Sequence, residues 1–132
     1  MQNILIVGLG GFIGSVTRYK LGELIFHMTA QGRFPFGTLA VNVLGCLVVG
    51  VLAGIAERHN LFGQELRLFL FTGLLGGFTT FSAFGLEAMH LIRRGDLGIA
   101  ALYVGASVVL GIIAVWLGFK LAAIADAVNA IH

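Results

Sequence analysis

The sequence predicts an all-α membrane protein: four transmembrane helices with a broken third helix, paired as an antiparallel dual-topology homodimer. Three observations lead there. Of 132 residues, 58% are hydrophobic and 11% charged, against roughly 25% charged in an ordinary soluble domain. With a mean hydropathy of +1.01, this composition argues against a soluble fold. Four apolar segments each reach the roughly 20 residues a helix needs to cross a bilayer. Lysine and arginine divide almost evenly between the two ends of those segments, so no single orientation is enforced. Residues 1–132 read as one four-span domain.

The first span covers about Ile4 to Phe26. Its run Gly8-Leu9-Gly10-Gly11-Phe12-Ile13-Gly14 has the look of a dinucleotide fingerprint but fails in detail. The third glycine of that motif would fall on Ile13, and no βαβ unit or downstream acidic residue can be placed around it. Helix packing accounts better for these glycines. The charged n-region and small-residue cleavage site of a signal peptide are missing, the first charge being Arg18. Arg18 lies deep enough to snorkel, most naturally toward Lys20.

The second span runs from about Gly37 to Ala56, after Pro35, the only proline. Asn42 stands out in apolar surroundings. It is either interhelical glue or a donor of amide N–H bonds to an anion, which it would solvate without adding a trapping charge. Thr38 lies one turn earlier on the same face, so the two could line one wall. Cys46 is alone, which rules out an intrachain disulfide, and reads as a small packing residue.

The third span, about Leu66 to Ile92, holds the most informative stretch, Gly73-Leu74-Leu75-Gly76-Gly77-Phe78-Thr79-Thr80-Phe81-Ser82-Ala83-Phe84. Each glycine weakens a helix by about 1 kcal/mol relative to alanine. The hydroxyls of Thr79, Thr80 and Ser82 offer the backbone competing hydrogen bonds. At membrane depth such loosened backbone survives only where protein or a wet cavity meets it, as in transport proteins. Phe81 and Phe84 share a helical face directly after this break. Their ring edges are electropositive and suit weak anion binding, although phenylalanine pairs more often face lipid.

The fourth span runs from about Leu97 to Ala123, where Tyr103 and Ser107 are one turn apart on one face. The links lie around Met28 to Pro35, around Arg58 to Glu65, and at Arg93-Arg94-Gly95-Asp96. Links this short make sequence neighbours antiparallel neighbours. Gly10/Gly14, Gly50/Gly54, Gly73/Gly77 and Ser107/Gly111 supply the small-residue spacing that lets membrane helices approach closely, within or between chains. Four thin helices enclose little space, so a passage calls for a second copy.

One end of the spans carries Lys20, Arg33, Arg93 and Arg94, the other Arg58, Arg67 and Lys120. That near tie permits insertion both ways up. Glu23, Glu57 and Glu87 lie toward helix ends, and Asp126 follows the last span. The absence of a mid-depth carboxylate argues against proton coupling. No nucleophile, general base or metal-ligand spacing appears, so the chain is not read as an enzyme. His27, His59, His90 and His132 sit apart and read as interfacial. There is no basic patch with interleaved aromatics, so nucleic acid is not an expected partner.

Taken together, these residues resemble the Fluc/CrcB family of fluoride ion channels across nearly the whole chain. The matching pieces are Gly10-Gly11-x-x-Gly14 with Arg18-Tyr19, then Gly37-Thr38-Leu39-x-x-Asn42-x-x-Gly45, then Gly73-x-x-Gly76-Gly77-x-Thr79-Thr80-Phe81-Ser82-x-Phe84. The resemblance implies a passive fluoride channel of the cell (inner) membrane, an antiparallel homodimer with two narrow pores. Phe81 and Phe84 would meet their counterparts across the subunits, Asn42 would contact fluoride, and Tyr103 and Ser107 would border the pore. Thr38 would line a polar vestibule, and Ser82 and Arg18 belong with this set. A structural Na⁺ on the two-fold axis is implied too, held by main-chain carbonyls of Gly76 and Thr79. Ala83 stands where the family commonly has a hydroxyl residue, and Gly111 replaces a serine found in some members. Both changes thin the polar lining and are expected to lower flux. The rival readings are a dual-topology small multidrug/proton antiporter and a non-conducting membrane assembly subunit. The first needs a carboxylate deep in the first span, which this chain lacks.

Overall fold

The computed structural model describes residues 1–29 and 32–130. His132 and positions 30 and 31 of the first link lie outside the described residues. The elements are α1 (Gln2–Met28), α2 (Phe36–His59), α3 (Gln64–Arg67), a π-helical stretch (Leu68–Leu75), α4 (Gly76–Phe78), α5 (Phe81–Arg93) and α6 (Leu97–Asn129). The segments Gln2–Met28, Phe36–His59, Gln64–Arg93 and Leu97–Asn129 are long and apolar enough to cross a membrane. Each extends past the limits expected from hydropathy, because a helix continues into polar sequence until its backbone is capped. At 33 residues, α6 is about 50 Å long, well beyond the roughly 30 Å hydrocarbon layer.

Local chemistry sets the boundaries. Pro35 caps the start of α2, where its missing N–H costs nothing. Asn60 closes α2 in the left-handed region at φ 49°, a conformation asparagine tolerates. Gly95 turns the chain between α5 and α6 at φ 81°, which a side chain would oppose. Arg33 braces this turn through a 2.6 Å ion pair with Asp96 at the head of α6. At the opposite end, His59 meets Asp126 at 2.7 Å, and Gln2 Nε2 donates to Glu65 Oε1 at 2.7 Å.

The small residues pack the spans within this chain. Helix α1 lies along the π-helical stretch and α4, and α2 lies along α6. A Cβ on Gly10 would sit 2.6 Å from the Phe69 carbonyl, and one on Gly77 would sit 2.6 Å from the Gly11 carbonyl. A side chain on Gly14 would run into the Leu74 carbonyl, and one on Gly50 into that of Val115. Gly73 and Gly77 of the third span therefore remain helical and serve close approach. Thr79 and Thr80 are the residues that leave the helix.

Candidate functional site

The site starts from the end of α4. Thr79 (φ −85°, ψ 153°) and Thr80 (φ −146°, ψ 113°) are extended between α4 and α5. In a continuous helix the Thr80 N–H would bond the Gly76 carbonyl and the Ala83 N–H the Thr79 carbonyl. Here side chains take both donors. The Thr80 N–H donates to Asn42 Oδ1 at 2.8 Å, and Ala83 N–H donates to Thr80 Oγ1 at 3.2 Å. Asn42 Nδ2 donates in return to the Thr80 carbonyl at 3.0 Å. The carbonyls of Gly76 and Thr79 are thus left without their helical donors. Gly45 makes room for this arrangement, since a Cβ there would strike the Thr79 methyl.

Around Asn42 lies a cavity of about 420 Å³ that brings together Asn42, Phe81, Phe84, Ser107, Gly76 and Thr79. Among the described residues, no charged one lines it. The rings of Phe81 and Phe84 are 5.5 Å apart and tilted by 38°. Phe81 is 85% exposed, whereas Phe84 packs on Tyr103 at 5.3 Å. An asparagine amide carries two N–H donors, and only one of them is spent on Thr80. Ser107 Oγ is buried without a partner. Cys46, expected only to pack, also borders this cavity.

A second cavity, of about 700 Å³, holds Thr38, Arg18 and Glu87, and it shares Thr80 with the first. Thr38 and Asn42 were expected on one wall; they face different cavities on either side of Thr80. Thr38 Oγ1 donates to Glu87 Oε1 at 2.7 Å, and the Tyr103 hydroxyl donates to Glu87 Oε2 at 2.7 Å. Tyr103 is fully buried. Glu87 was read as a residue near a helix end. It is instead the junction of α2, α5 and α6, about 9 Å inside the end of α5 by its six-residue distance from Arg93. A carboxylate one turn after Ala83 on the face of Phe84 was the signal available. Ser82 borders neither cavity; it is exposed, with Oγ 3.4 Å from Thr80 Oγ1.

The smaller cavity offers neutral N–H and O–H donors and aromatic rims, groups able to solvate a small anion. The larger is lined by Arg18, Arg33, Glu23 and Glu87, and of these Arg18 forms no ion pair among the described residues.

Comparisons with known proteins agree on one family. A family model described as CrcB-like protein, Camphor Resistance (CrcB), matches residues 5–119. The chain is 50% identical over 121 residues to a protein of Methylobacillus flagellatus named fluoride-specific ion channel FluC, covering 92% of this chain and 94% of that one. A protein of the same name from Agrobacterium fabrum is 49% identical over 122 residues, covering 92% and 96%. The corresponding protein of Flavobacterium psychrophilum is 43% identical over 122 residues, covering 92% and 98%.

Proposed function

This chain belongs to the CrcB-like family, and we propose that it is a multi-pass protein of the cell (inner) membrane that conducts fluoride passively out of the cytoplasm. The observation that carries this reading is the uncharged cavity where Asn42 and Ser107 offer neutral donors beside Phe81 and Phe84. A halide leaving water needs replacement donors. Neutral amides, hydroxyls and ring edges supply them without the fixed charge that would trap the ion. The relatives named as fluoride-specific channels support fluoride as the halide.

Export needs no further energy source. Hydrogen fluoride enters neutral and dissociates inside, and an inside-negative potential drives the anion out with about 2.3 kcal/mol per 100 mV. Proton-coupled drug transport is disfavoured, since α1 has no acidic residue before Glu23. Both oxygens of Glu87 are also engaged by Thr38 and Tyr103.

The reading includes a second, oppositely inserted copy and two pores. Phe81 and Gly76 border the cavity while exposed on this chain, and the near-even Lys/Arg distribution permits both orientations. A structural Na⁺ belongs to the same reading. The carbonyls of Gly76 and Thr79, freed of helical donors, fit the oxygen ligands a hard cation takes, and two copies would supply four. When bound, the ion would offset carbonyl repulsion and add a positive field near passing anions.

The test is purified protein in vesicles loaded with potassium fluoride, with valinomycin imposing the voltage and an electrode reading external fluoride. Rapid fluoride efflux is expected. Vesicles no leakier than protein-free controls would overturn the proposal. For dual topology, a single cysteine at Arg94 should be labelled by impermeant reagent in about half the copies in intact cells. Labelling of all copies or none would contradict it.

A further inference from the structure

A third cavity, of about 590 Å³, opens at the far end of the third span. Its walls include Arg67, Asn60, Gln64, Thr72 and Phe71. Phe71 is also a wall of the uncharged cavity around Asn42, just as Thr80 joins that cavity to the one holding Arg18. The three spaces therefore follow one another through shared walls: Arg18 with Arg33, Glu23 and Glu87 at one end, no charged residue among the described ones in the middle, Arg67 at the other. Among the described residues, Arg67 is the only charged one lining its cavity, and it forms no ion pair there. Its exposed side chain sits at the α2–α3 end, opposite the Arg33–Asp96 end of the molecule.

From this succession we propose that Arg67 is the electrostatic mouth of the conduit on the face opposite Arg18, concentrating a small anion before it meets the neutral donors. The proposal rests on the anion-channel reading above. A lone guanidinium flanked by amide and hydroxyl groups attracts an anion while leaving it hydrated. Lined on one side by protein, the mouth focuses the field and raises local anion concentration. The effect is on rate rather than on halide choice, and it fades with salt, since the Debye length falls to about 3 Å at 1 M.

Unitary fluoride conductance of the reconstituted protein should be compared for wild type, Arg67→Gln and Arg67→Lys, across ionic strength set with an impermeant salt. At low ionic strength Arg67→Gln should conduct about threefold less than wild type, and the gap should close near 1 M. Arg67→Lys, which keeps the charge, should stay close to wild type throughout. A conducting wild type with an equally conducting Arg67→Gln would overturn this role alone. So would equal, salt-independent losses in both variants, which would mark Arg67 as structural. A silent wild type would overturn the channel reading and this one together.

Discussion

Asn42 and Thr80 hold each other by two hydrogen bonds, side-chain amide against backbone peptide, across the gap between α2 and the third span. The asparagine thereby has two parts to play. It accepts from the Thr80 N–H, which has lost its helical acceptor, and it lines the uncharged cavity with one amide N–H not spent on Thr80. Asn42→Asp turns the donor facing the Thr80 carbonyl into an acceptor and brings a charge. It should abolish fluoride flux and lower stability by about 1–3 kcal/mol, read by vesicle efflux and thermal unfolding in detergent. Retained flux would reduce Asn42 to glue.

Phe81 and Phe84 should separate conduction from stability. Phe81 is largely exposed on its own chain, so Phe81→Ile should cut flux at least tenfold with little change in monomer packing. Phe84 stacks on Tyr103, so Phe84→Ile should cut flux and also cost about 0.5–1.5 kcal/mol of aromatic pairing. Wild-type flux in both variants would remove the rings from the mechanism.

Tyr103→Phe keeps the ring against Phe34 and Phe84 while deleting the hydroxyl that donates to Glu87. A hydrogen bond to a charged group is worth about 1.5–3 kcal/mol, and the melting temperature should fall accordingly. Thr38→Val removes the other donor to Glu87. The two losses should be non-additive, because both act on one carboxylate. Independent, additive losses would argue against a shared network.

Two glycines of α1 make an internal control. Gly14→Ala drives a methyl into the Leu74 carbonyl, whereas Gly8→Ala meets nothing within 4 Å. The first should destabilise by about 1–3 kcal/mol through overpacking. The second should be neutral or stabilising by up to about 1 kcal/mol, the helix-propensity gain of alanine over glycine. Thermal melts of the pair in detergent decide it.

How far the sequence reveals this molecule follows from which forces are local. Four spans were legible because hydropathy over about 20 residues is a local signal. The Gly10/Gly14 and Gly50/Gly54 contacts were legible as close packing, though only the structure assigns them to partners within the chain. Asn42 and Ser107 stood out as polar groups in apolar helices, and they do face one cavity. Glu87 was not legible as an interior group. Its partners Thr38 and Tyr103 arrive from α2 and α6, and helix register alone does not bring those two residues to it. The departure from helix at Thr79–Thr80 was expected from the neighbouring glycines together with the hydroxyls of Thr79, Thr80 and Ser82. The residues that sustain it are Asn42 and the Thr80 hydroxyl, the first of them a long-range partner.

The most direct test is the reversal potential of single channels in a planar bilayer with unequal fluoride and equal, abundant chloride on the two sides. Current should vanish at the Nernst potential for fluoride and ignore an imposed proton gradient. Reversal at zero voltage, a shift with the proton gradient, or no current at all would contradict a passive fluoride pathway lined by neutral donors.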